Sequence, residues 1–240
     1  MRTNRQTARI AGLLYFLLTV IGIFSIVYVP SRIVVYGDAA GTASNIKAHE
    51  MLFRAGIVGD LVCQTLFVFL ALTLYHWFKN VDRKYALMLL TLVVVSVPIE
   101  FLNTLNQFAP LVLLSGHAYL NVLGTEQLAA ISMAALDLHN YGVSVAQVFW
   151  GLWLFPFGIL VYRSGFLPRT IGVFLMIGCF SILIETFCSL VFPESYGLVS
   201  QFTAIPSALG EFSAILWFLI FGARESSPVA AESSSLSPMR

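Results

Sequence analysis

The chain has 240 residues, 58% of them hydrophobic and only 10% charged, with a net charge of +1 and a mean hydropathy of +0.86. A soluble domain carries about 25% charge, so most of this chain has no water to face. The near-zero net charge also excludes a basic surface for nucleic acid.

Several runs reach the roughly 20 apolar residues that cross a bilayer. The first, residues 10–29, follows Arg2, Arg5 and Arg9. It is longer than a signal-peptide core, and no small-x-small cleavage site follows closely, so it reads as an uncleaved membrane helix ending near Pro30. A polar segment, 31–54, leads into a second helix at 55–78. The basic loop KNVDRK precedes a third at 86–110. The less regular stretch 111–140 contains a helix over 125–138, with Glu126 where the dipole favours an anion. Segments 142–162, 170–192 and 202–222 are the fourth, fifth and sixth membrane helices, with a basic loop at 163–169 and a turn at 193–201. Residues 223–240, rich in Ser, Pro and Ala, read as a disordered cytoplasmic tail.

Orientation follows from the basic flanks. Arg2, Arg5, Arg9, Lys79, Arg83, Lys84, Arg163, Arg169, Arg224 and Arg240 fall on one side, against Arg32, Lys47 and Arg54 on the other. Tyr75, Trp77, Tyr85 and Tyr162 fit an inner aromatic belt, and Tyr28, Tyr119, Tyr141 and Tyr196 an outer one. The expected fold is all-α: a polytopic membrane protein, six transmembrane helices in one bundle, both termini cytoplasmic, with an outer subdomain from 31–54 and 111–140.

The third run carries the polar seam. Glu100, Asn103, Asn106 and Gln107 share one side of a helix at 100° per residue. Pro98 just before them predicts a kink, as Pro156 does in the fourth helix. Asp60 and Gln64 lie one turn apart in the outer third of helix two, Gln147 in that of helix four and Glu185 in that of helix five. Glu211 is near the middle of helix six. These residues predict a polar cavity near the outer face. Its four ionisable groups, Asp60, Glu100, Glu185 and Glu211, are all acids, which share protons or hold a cation. Glu211 is the sharpest single candidate by depth.

His49, His117 and His139 fall on the same outer side and, with Asp137, have the chemistry of a zinc site, though without HxxxH or HExxH spacing. Ser115 near His117 lacks the strand–turn–helix setting of a hydrolase nucleophile. Cys63, Cys179 and Cys188 lie in apolar runs with no CxxC spacing. Trp150 and Trp153, one turn apart, read as packing residues or the wall of an apolar pocket.

Five segments carry a resemblance: RIAGLLYFL (9–17), FRAGIVGDL (53–61), LNQFAPLVLLSG (105–116), DLHNYG (137–142) and GLWLFPFGILVYRSGFLPRTIG (151–172). In this order they resemble the bacterial domain-of-unknown-function 4386 family of multi-span integral membrane proteins, over nearly the whole chain short of the tail. The last segment is the most specific. The resemblance implies a bacterial cell (inner) membrane protein, and no activity or site residue. Asp60, His139 and the Arg163-Ser164-Gly165 turn fall inside these segments.

Three functions are consistent with the sequence, the non-enzymes ahead of the enzyme. The first is a binding or transport protein whose outward acidic cavity takes a proton, a cation or a small solute, with no cofactor. One chain of six helices is small for a carrier, so a homo-dimer is a natural partner state. The second is an intramembrane hydrolase of a lipid or amide, using a divalent metal such as zinc on His49, His117, Asp137 and His139. The third is a non-catalytic membrane partner or scaffold, its acids paired between helices with no cavity.

Overall fold

The computed structural model describes residues 4–192, 194 and 196–222. The tail 223–240 and the flank residues Arg2, Arg224 and Arg240 lie outside them, as do the side chains of Arg5 and Tyr196. The described residues form helices and no strand: α1 (Asn4–Gly22), a π-helical stretch (Ile23–Tyr28), α2 (Val29–Ile33), α3 (Ala39–Ala48), α4 (Glu50–Phe78), α5 (Arg83–Asn103), α6 (Leu105–Leu113), a 3₁₀ turn (Ala118–Val122), α7 (Thr125–Leu152), α8 (Leu154–Ser164), α9 (Arg169–Val191) and α10 (Tyr196–Ile220).

Six stretches are long and apolar enough to span a membrane: Gln6–Ile33, Glu50–Phe78, Arg83–Leu113, Thr125–Ser164, Arg169–Val191 and Gly197–Ile220. Their outward faces carry Leu13, Phe16, Val20, Phe69, Val94, Phe180, Phe187 and Leu216, all exposed. A continuous apolar exterior of this kind is stable only against hydrocarbon. This is a multi-pass membrane protein.

The first four spans run further than the sequence reading placed them, the first and fourth with a visible cause. The first continues past residue 29 to Ile33, passing through Pro30. Proline has no N–H for the usual i→i−4 bond. The wider π turn over Ile23–Tyr28 lies just before it, and Val29 N–H bonds back to Phe24 O. The fourth span begins at Thr125 rather than 142, so the expected separate helix over 125–138 is part of it. The polar string DLHNYG resembles a loop, yet it continues the helix, with the His139 side chain held by Gln107 of α6 and the His139 carbonyl by Asn103 of α5. The span is 40 residues, about 60 Å at 1.5 Å per residue and about twice the hydrocarbon thickness. Its N-terminal part therefore stands beyond the bilayer.

The third and fourth spans are each interrupted once. α5 runs through Pro98, and the first break falls at Thr104, between α5 and α6. The second break, at Trp153, precedes Pro156.

The basic end is held by aromatic packing. Tyr15, Trp77, Phe78, Trp153, Phe157 and Phe218 are buried in one apolar core. Trp77, expected in the interfacial belt, is instead 6% exposed and stacks on Phe166, with centroids 5.5 Å apart. Arg163 bridges two loops by donating to Asp82 at 2.7 Å, while the Asp82 carboxylate also caps α5 by accepting from Lys84 N–H. Gly165, at φ +68°, supplies the left-handed turn that ends α8. α8 and α9 then meet backbone to backbone, since a Cβ on Gly158 would lie 2.6 Å from Gly172 O.

At the opposite end α2, α3 and the start of α7 form a cap. Val29, Ile33, Ile46, Phe53, Ile57 and Leu136 make its small core. Asp38 caps α3 by accepting from Gly41 N–H at 2.8 Å. Arg32, Lys47 and Arg54 lie at this end, Arg54 paired with Glu50 at 2.7 Å.

Candidate functional site

Beneath the cap lies a cavity of about 430 Å³, walled by the π turn and α2, by α4, α5, α6 and α7, and by Ser189 of α9. Its exposed lining residues, Ile26, Tyr36 and Asn140, mark the rim. Lipid-level helices can enclose so polar a space because several of its polar side chains have a partner or a small residue beside them. A Cβ on Gly142 would overlap the Asn103 carboxamide, and one on Gly59 would overlap the Ser25 hydroxyl. These glycines are sites for neighbouring polar groups.

One hydrogen-bonded network joins three spans. Gln107 Nε2 donates to Asp60 Oδ2 at 2.8 Å and stands 2.6 Å from His139 Nε2. The amide has two hydrogens, one for each partner, so His139 Nε2 accepts and the ring hydrogen sits on Nδ1. That nitrogen lies 3.4 Å from Asn103 O. Asn103 Nδ2 donates to His139 O at 3.0 Å and reaches both Glu100 oxygens at 3.4 Å. Asn106 Nδ2 donates to Asn103 Oδ1 at 3.1 Å. The seam on α5 and α6 thus faces α4 and α7 rather than lipid.

Of the nine residues expected to hold a cation or ligand, Asp60, Gln64, Glu100, Gln107 and Gln147 line the cavity. Asn103 and Asn106 sit behind it as supports. Glu185 and Glu211 lie elsewhere. Thr203 Oγ1 donates to Glu185 Oε2 at 3.0 Å, joining α9 to α10. Tyr15 Oη donates to Glu211 Oε2 at 2.5 Å, joining α1 to α10. The four intramembrane acids therefore divide into two on the cavity and two between helices.

The residues considered for a metal also divide. His139 lines the cavity. His49 and Asp137 are exposed, and exposed His117 stacks on Tyr119 with centroids 5.5 Å apart. Among the described residues no three His, Cys, Asp or Glu side chains gather into a metal-holding group.

Ser25, Cys63, Ser144 and Ser189 also line the cavity and were not anticipated as site residues, and Trp150, read as a packing or pocket-wall residue, joins them. Ser25 carried one signal, the single serine of its apolar run, five residues ahead of Pro30. Trp150 carried one in its one-turn spacing from Trp153, but only Trp150 reaches the cavity while Trp153 fills the core.

The electrostatic character is one-sided. Asp60 and Glu100 are both buried on the wall, and among the described residues no Lys or Arg lines it. Chemically the cavity offers two carboxyls, four carboxamides, an imidazole and hydroxyls. That set holds donors and positive charge and repels anions.

No curated protein and no solved structure matches this chain. Its residues 10–222 match the family model described as "Domain of unknown function (DUF4386)", and the chain belongs to that family.

Proposed function

We propose that this chain is a multi-pass protein of the bacterial cell membrane, both termini cytoplasmic, that binds a proton-bearing or cationic small solute in the outer cavity. Binding is the elementary act, and carriage of the solute would build on it. The single observation behind this reading is the pair of buried acids, Asp60 and Glu100, on the wall of a roomy cavity that no Lys or Arg lines. A buried acid that only ties helices together needs no cavity, as Glu185 and Glu211 illustrate. Gln64, Gln107 and Gln147 orient the solute, and His139 is held by Gln107 as a neutral acceptor.

The experiment is thermal unfolding of the purified protein with Na⁺, K⁺ or methylammonium, wild type beside Asp60→Asn and Glu100→Gln. A ligand that binds only the folded state at 100 times its Kd adds about 2.7 kcal/mol. At least one cation is expected to stabilise wild type, and both variants to lose that response. Equal responses in wild type and both variants would overturn the assignment, as would no response from wild type. Glu211→Gln is expected to keep the response, since Glu211 bonds Tyr15 away from the cavity.

A further inference from the structure

The cavity is layered. On α4, Phe53 and Ile57 lie toward the cap and Asp60 and Gln64 a turn or more further along; on α7, Leu136 lies toward the cap, ahead of His139, Gln147 and Trp150. Phe53 to Gln64 covers about 16 Å of helix. An apolar collar thus sits over a polar floor. An alkali cation or a proton makes no use of a collar, whereas a solute with a charged head and an apolar body uses both.

The floor also shows what the head must supply. Gln64 is 6% exposed, lines the cavity, and among the described residues its Oε1 has no hydrogen-bond partner. A buried carboxamide oxygen without a donor is costly. Asp60 and Glu100 beside it are acceptors as well when ionised. Among the described residues two groups on this wall that can donate, Trp150 Nε1 and the Ser25 hydroxyl, are also left without a partner. Three acceptors around one space call for a group carrying several N–H bonds.

Resting on the cation-binding reading above, we propose that the ligand is a primary organic ammonium. Its N–H groups donate to Asp60, Glu100 and Gln64 Oε1, and its apolar body lies in the collar of Phe53, Ile57 and Leu136. A quaternary ammonium has the same charge and body but no N–H. It leaves Gln64 Oε1 unsatisfied, and its methyl groups hold the carboxyls away.

The probes are hexylammonium and hexyltrimethylammonium, titrated calorimetrically into the protein in lipid nanodiscs, with empty nanodiscs subtracted for partitioning. Hexylammonium is expected to bind tighter by about tenfold or more, the worth of one charge-assisted hydrogen bond. Gln64→Leu is expected to erase that preference and leave the quaternary probe unchanged. The preference in wild type is read without any variant, so a variant that misfolds costs nothing. Equal affinity, or tighter binding of the quaternary probe, overturns the proposal while the cation reading stands. If neither probe binds but methylammonium does, the collar plays no part and the proposal falls alone. If none of the three binds and Na⁺ and K⁺ also fail, both readings fall together.

Discussion

Removing the Tyr15 hydroxyl tests whether the acids divide as the geometry indicates. Tyr15 is 1% exposed and edge-on to Trp153 at 5.8 Å, so Tyr15→Phe leaves the packing in place. It deletes the 2.5 Å donor to Glu211. A buried acceptor stripped of its donor costs about 1–3 kcal/mol, and interhelical hydrogen bonds in lipid measure from about 0.6 to about 1.7 kcal/mol. The expected loss is therefore about 1–2 kcal/mol. The double variant Tyr15→Phe/Glu211→Leu removes both partners, and such pairs replaced by apolar groups of similar shape are nearly neutral. It should be more stable than Tyr15→Phe alone. The assay is equilibrium unfolding in mixed micelles, read as a double-mutant cycle. A Tyr15→Phe variant as stable as wild type would refute the reasoning, as would single losses that simply add. Either result would return Glu211 to candidacy as a ligand group.

Two further outcomes follow from local geometry. Gly142→Ala places a methyl in the space of the Asn103 carboxamide, so it should cost about 1–3 kcal/mol by overpacking in chemical denaturation and weaken cation binding, because Asn103 holds Glu100 and His139 O. At the basic end Asp82→Ala should cost more than Arg163→Ala. The first removes both the α5 cap and the ion pair, about 1–2 kcal/mol. The second removes a pair whose arginine is 52% exposed, under about 1 kcal/mol; thermal unfolding of the two variants side by side checks the order.

The fold was legible because bilayer crossing imposes length and polarity that a sequence displays directly. What hid was anything decided by a neighbour. DLHNYG resembles a loop in isolation; it is helical because Asn103, 36 residues earlier, bonds to His139 and packs on Gly142. Asp60, Glu100, Glu185 and Glu211 look alike along the chain. Only their partners separate them, Tyr15 for Glu211 at a sequence distance of 196 and Thr203 for Glu185. The seam on the third span was visible because its periodicity is local. The depth argument for Glu211 failed to find Tyr15 because a single tyrosine in an apolar helix gives no periodic signal. The π turn stayed hidden too, since Pro30 marks a helix end in most sequences and here is passed.

The aromatic plug gives the bundle a polarity of purpose. Tyr15, Trp153, Phe157, Phe78 and Phe218 close the basic half, so the cavity above is a cup with a sealed base. On the binding reading proposed above, a solute entering at Tyr36 and Asn140 would meet this base after the glutamines. Traffic through the molecule would require several interlocked rings to part at once, against close-packed contacts on every side. Capture and release at the rim would ask only for movement of the α2–α3 cap and its small apolar core. A fixed base and a light cover would then divide the work of a vessel: one half would define the contents, and the other would set how long they stay.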